Sequence, residues 1–139
     1  MKEQLIVFFP PYKKGHFYQL MGPFFAERIY QKQFPYLVNS NDCYWYVIVD
    51  QLNQVMAFSY YELKAARIEI GEFYEKEPAS DRKTLLLRKM LSDIRKKYPD
   101  QEIIVTTNHP NEVVLFQTKG FAVFRQTKNY YFLKRECSI

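Results

Sequence analysis

Near its C-terminus the chain runs Ile103-Ile104-Val105-Thr106-Thr107-Asn108, continues from His109 to Lys119, and stops on Gly120-Phe121. A β-branched run, a helix-length segment and a glycine followed at once by an aromatic predict a strand, a short helix and a left-handed helix stop. The segment before it is the clearest helix in the chain. After Ser80-Asp81, the residues Leu87, Met90, Leu91, Ile94 and Tyr98 form one apolar face, with Arg88, Lys89, Arg95 and Lys96 mostly off it. Ser80 or Asp81 suits its N-cap, and Pro99 ends it. A helix between two strands makes a crossover, which places those strands parallel in one sheet.

The remaining elements can be read from pattern and punctuation. Residues 5–9 form a short buried strand closed by Pro10-Pro11, because proline donates no ladder hydrogen bond. From Phe17 the stripe Phe17, Leu20, Met21, Phe24, Phe25 and Ile29 predicts a core-facing helix that Gly22-Pro23 should bend or split. Residues 44–49, 55–63 and 67–74 are rich in aromatic and β-branched side chains and make an antiparallel meander. Gly71 interrupts the last of these, where a missing side chain marks a bulge or a close backbone approach. Residues 122–124 and 129–133 end the chain as a hairpin. The fold class is therefore α/β (α+β): a mixed, mostly antiparallel central sheet with helices on both faces.

With 139 residues and neither repeats nor a Ser/Gly linker, the chain is read as one domain over 1–139. Tyr and Phe number 12 each, so thick aromatic packing or an apolar groove is expected. Cys43 and Cys137 lie far apart, and neither they nor His16 and His109 stand at metal spacing; reduced thiols and no metal site are expected. The run 5–9 is short for a signal-peptide core, and no other run nears the roughly 20 residues of a membrane span. A soluble, cytoplasmic protein without membrane contact is expected. A net charge of +5 allows attraction to phosphates. Its densest cluster, Arg95-Lys96-Lys97, falls where cations suit a helix C-terminus.

This order of elements resembles the GNAT acyltransferase superfamily over nearly the whole chain. The best local match is Leu115-Phe116-Gln117-Thr118-Lys119-Gly120-Phe121, which is similar to that family's Leu-Tyr-Glu-Lys-x-Gly-Phe ending. The resemblance implies an acyl-CoA-dependent N-acyltransferase that moves acetyl from acetyl-CoA to the amine of a small molecule or a protein. It also implies that the strand carrying Gly71 separates from its neighbour at a bulge, leaving the backbone of Phe73 and Glu75 to pair with the pantetheine arm. Asn108, at the end of the parallel strand, is implied near the cofactor and also suits a helix cap. A homodimer is within the pattern.

Direct transfer needs an amine freed of its proton, so a carboxylate base is expected: Glu72 first, Glu69 second, which a bulge at Gly71 would bring to one face. The family's pyrophosphate loop, Arg/Gln-x-x-Gly-x-Gly/Ala, corresponds here to residues 78–84, which contain no glycine. Helix-start amides with Ser80, Arg82, Lys83 and Thr84 remain to meet phosphate, while Asp81 would oppose it. Phe116 stands where many members carry a tyrosine that protonates the leaving thiolate, and as a core residue it has no proton to give. A tyrosine of the sheet, such as Tyr74, is the candidate to substitute for it. A GNAT-fold binding module without catalysis is the second reading. A nucleic-acid surface is disfavoured, because the aromatics sit in apolar stretches and no ribonucleoprotein motif is present.

Overall fold

The computed structural model describes residues 3–34, 37, 39–78 and 81–136. Its strands are β1 (Gln4–Phe8), β2 (Cys43–Val49), β3 (Val55–Leu63), β4 (Arg67–Ile70), β5 (Tyr74–Glu75), β6 (Glu102–Thr107), β7 (Ala122–Gln126) and β8 (Tyr131–Arg135). They form one sheet in the order β1-β2-β3-β4-β6-β8-β7, with β5 also paired to β3. Among the described residues β4 and β6 make the single parallel pair, joined by the expected helical crossover. β2 and β3 are buried almost end to end, because both faces of the sheet are covered at its centre.

The helices are α1 (Lys14–Ala26), α2 (Arg28–Gln33), α3 (Arg82–Lys97) and α4 (Pro110–Thr118). On one face α1 buries Phe17, Met21 and Phe24 against Trp45, Phe58, Tyr60 and Tyr74. On the other, α3 and α4 bury Leu86, Leu87, Met90, Leu91, Ile94, Val113 and Phe116 against Tyr46, Tyr61, Ile68 and Ile70. At the end of α4, Gly120 has φ +89°, and Phe121 folds back to 5.5 Å from the Phe116 ring. Only glycine adopts that backbone without strain, so the stop expected at this position is built.

Two expectations differ from the structure. Helix α1 runs through Pro23, and the break falls at Glu27, whose extended backbone separates α1 from α2. Burial of Phe17, Met21 and Phe24 outweighs the one backbone hydrogen bond that Pro23 removes. The displaced break turns Ile29 out of the stripe, and it is 69% exposed. The terminal hairpin is longer than its pattern indicated and turns at residues 127–130, where Thr127 N–H donates to the Tyr130 carbonyl. Among the described residues no helix is long and apolar enough to cross a membrane.

Candidate active site

The strands β4 and β5 are one strand interrupted by a bulge. Tyr61 pairs with Ile70 and Phe58 with Tyr74, so a three-residue step on β3 is matched by a four-residue step opposite. The Gly71 N–H donates to the Tyr60 carbonyl at 2.8 Å. The Tyr60 ring lies against Gly71 so closely that a β-carbon there would overlap it. The extra residue resets the alternation: Ile70 and Phe73 both enter the α3/α4 core, while Tyr74 enters the α1/α2 core. By the same alternation Glu69 and Glu72 share the face opposite Ile70 and Phe73.

The bulge also opens the sheet. β4 and β6 stay paired as far as Ile70 and Val105. Beyond that rung residues 71–75 follow β3, whereas Thr106 and Thr107 pair with Phe132 and Tyr131 on β8. Gly71 and Lys76 give their N–H groups to β3. Alternation back from Lys76 then turns the backbone of Phe73 and Glu75 toward the opening.

The two candidate bases have different surroundings. Glu69 is held by Arg67, with Nε 2.8 Å and Nη2 2.7 Å from Oε2. It lines a shallow groove with Ile104, Thr106, Phe124 and Phe132. Glu72 is half-buried, and among the described residues it takes part in no ion pair. Burial, and then the nearby Glu112 carboxylate, raise its carboxyl above the ordinary range. A carboxylate that holds its proton more tightly, with no ion-pair partner among the described residues, is suited to accept one from an ammonium group.

The mouth of the opening, at the start of α3, is occupied by carboxylates. Glu75 Oε2 accepts the Lys83 backbone N–H at 3.2 Å. It fills the capping role expected of Ser80 or Asp81: the Asp81 side chain makes no cap bond, and Ser80 lies outside the described residues. Lys83 Nζ reaches across to Glu112 Oε2 at 2.7 Å, joining the start of α3 to the start of α4. Glu112 is 6% exposed, and its Oε1 accepts the Thr107 hydroxyl at 2.6 Å. The Thr107 oxygen in turn accepts the His109 N–H at 3.1 Å. Arg82 donates to Glu3 and Glu77, each at 3.0 Å, and holds the Glu3 carboxyl below its ordinary range. Thr84 lines an open depression beside Glu3, Glu77, Asp81, Arg82 and Arg88.

Asn108 is exposed at the end of β6, and the cap position of α4 belongs to His109. Phe116 is fully buried, 5.7 Å from Phe73 and 5.5 Å from Phe121 between ring centres. Tyr74 stacks on Phe58 on the α1/α2 side, and burial and a hydrogen bond with Tyr30 push its hydroxyl up to about 12. Sequence reading did not single out Thr107 or Glu112. The available signal was an acid in the first turn of a proline-started helix, which is also an ordinary helix-dipole placement. Among the described residues no group of His, Cys, Asp and Glu is placed to hold a metal ion.

By sequence, no protein-family model matches the chain and no curated protein matches it. By structure the likeness is extensive. Escherichia coli ElaA superposes with a TM-score of 0.75 at 14% identity, covering 97% of this chain and 100% of that one. An acyl-CoA N-acyltransferase from Pseudomonas aeruginosa gives 0.76 at 12% identity, over 96% and 99%. The PaiA N-acetyltransferase of Thermoplasma acidophilum, solved in complex with coenzyme A, gives 0.63 at 13% identity, over 98% and 99%. The chain has the fold of the GNAT N-acetyltransferases.

Within that fold the residues present divide in their fit to acyl-CoA. The opening beside the bulge suits an extended amide-bearing arm. The start of α3 does not suit a pyrophosphate, because Glu75 already takes the Lys83 amide and the cations Arg82 and Lys83 carry carboxylate partners.

Proposed function

We propose that the chain is a GNAT-type N-acyltransferase that moves an acyl group, acetyl in the simplest case, from a thioester to an amine. The observation that carries this reading is the Gly71 bulge, which opens the sheet and sets half-buried Glu72 beside the opening. Glu72 takes a proton from the acceptor ammonium. The freed nitrogen bonds to the acyl carbon and sheds its second proton to water, the carbon–sulfur bond breaks, and the thiol leaves as thiolate, to be protonated by water. Phe116 offers no proton, and a thiolate with an ordinary pKa near 8.5 leaves without one. Backbone groups of Phe73 and Glu75 hold the donor's amide-bearing arm. The carboxylates of Glu69 and Glu72 draw a cationic amine, whether free or on a protein, toward the acyl carbon. The reading places the protein in the cytoplasm, where buried Cys43 stays a thiol.

One observation favours a second reading, a GNAT-fold module that binds without transferring: the proton-donor position is held by a phenylalanine locked in the core. The test is acetyl transfer from radiolabelled acetyl-CoA and S-acetylpantetheine to a panel of primary amines, polyamines and lysine peptides. Label in an amine product above the buffer rate is expected with the full chain. A folded chain that transfers from neither thioester to any acceptor would leave the binding module in its place.

A further inference from the structure

The two ends of the opening make opposite demands on a donor. At the bulge, the backbone of Phe73 and Glu75 turns toward the opening, which suits an uncharged chain with amide groups. At the α3 start, an incoming phosphate would meet Glu75 on the Lys83 amide, Glu112 on the Lys83 ammonium, and Glu3 and Glu77 on Arg82. A helix N-terminus attracts an anion through its amides and its dipole, and here a side-chain carboxylate of the same chain already supplies that anion. Seating a pyrophosphate would mean expelling Glu75 and parting a Lys83–Glu112 pair whose acid is 6% exposed, leaving that acid with Thr107 alone. Each of those groups would then lose a charge-assisted bond as another formed, so the phosphates gain nothing from the exchange.

Resting on the acyltransferase reading above, we infer that the donor is recognised through its thioester and pantetheine arm alone. The substrate class is acyl-pantetheine thioesters, in which the phospho-adenosine end of CoA is not read. Acyl-CoA is then one member of the class, used no better than its phosphate-free fragment. Lys83 and Glu112 serve as a clasp between α3 and α4 that closes the phosphate end of the opening.

The test compares kcat/KM for acetyl-CoA, acetyl-dephospho-CoA and S-acetylpantetheine, with one amine acceptor and the full chain. The expected result is agreement among the three within about threefold, less than the tenfold that 1.4 kcal/mol of recognition would give. A preference of about tenfold or more for acetyl-CoA over S-acetylpantetheine overturns the inference while leaving the acyltransferase reading intact. No transfer from any of the three overturns both. A second arm uses Glu75→Gln and Glu112→Gln, which remove negative charge from the α3 start. Both should raise the acetyl-CoA to S-acetylpantetheine ratio above that of the unmodified chain. An unchanged ratio in both folded variants counts against the carboxylates as the cause, and Glu75→Gln keeps the test open if Glu112→Gln does not fold.

Discussion

The bulge at Gly71 and the α3 start at Arg82 lie on one strand-to-helix connection, yet they are built in opposite ways. At the bulge, the chain gives up a side chain at Gly71 and, beyond Ile70, its pairing with β6, and turns backbone groups toward an opening. At the α3 start it does the reverse, covering a backbone N–H with Glu75 and both neighbouring cations with acids. A sheet that parts beside a half-buried carboxylate costs stability and persists where something binds. A saturated ion-pair network does the opposite and fixes the structure around itself. On the proposed reading, the contrast separates the end of the opening that serves the chemistry from the end that internal ion pairs occupy.

The largest effect expected from breaking this contrast is at Glu72. Glu72→Gln removes the base while keeping its shape, and kcat for acetyl transfer should fall by about 10²–10⁴-fold. Gly71→Ala comes next. A methyl group there must displace the Tyr60 ring, whose centre lies 4.3 Å from that of the Trp45 ring, so the unfolding free energy in denaturant titration should drop by about 3 kcal/mol. At the other region, Glu112→Ala leaves Lys83 and Thr107 without their acceptor. With Lys83 26% exposed, a loss of about 2 kcal/mol is expected, and the double variant Lys83→Met/Glu112→Leu should recover part of it. Recovery would mark the clasp as a pair; simple additivity would deny it.

Smaller effects sharpen the same line. Phe116→Tyr adds a hydroxyl between Phe73 and Phe121 and should cost about 1–2 kcal/mol in thermal unfolding. A rise in kcat without that cost would show that the position reaches the thioester after all. The smallest effect has the opposite sign. The Glu72 carboxyl is raised in the folded state, so its ionisation opposes folding as pH climbs from the ordinary carboxylate range through the raised one. Glu72→Gln should therefore stabilise the protein at neutral pH, by less than about 1 kcal/mol, and the gain should vanish below the ordinary carboxylate range. A constant gain across pH would assign it to packing.

What could be read from the residues followed from how local each cause is. The α3 stripe, the Gly120 stop and the Gly71 bulge are set by neighbours in sequence, through periodicity and backbone freedom, and those parts of the fold were visible in advance. Whether Pro23 would bend or split its helix stayed open in the sequence, because its effect depends on how strongly the helix around it is buried, a tertiary quantity. The clasp was out of reach for the same reason: Lys83 and Glu112 are 29 positions apart and meet only once β6 has brought α4 beside α3. Arg82 and Lys83 read as phosphate ligands from charge alone, since nothing local announces that Glu3 and Glu112 will arrive from elsewhere.

The central claim is that the donor's arm lies in the opening at the bulge and stops short of the α3 start. Amide chemical shifts followed during titration with pantetheine test it most directly. The account predicts that the Phe73 and Glu75 amides move progressively with ligand while the Arg82 and Lys83 amides stay in place. Shifts confined to Arg82 and Lys83, with Phe73 and Glu75 unmoved, would contradict it.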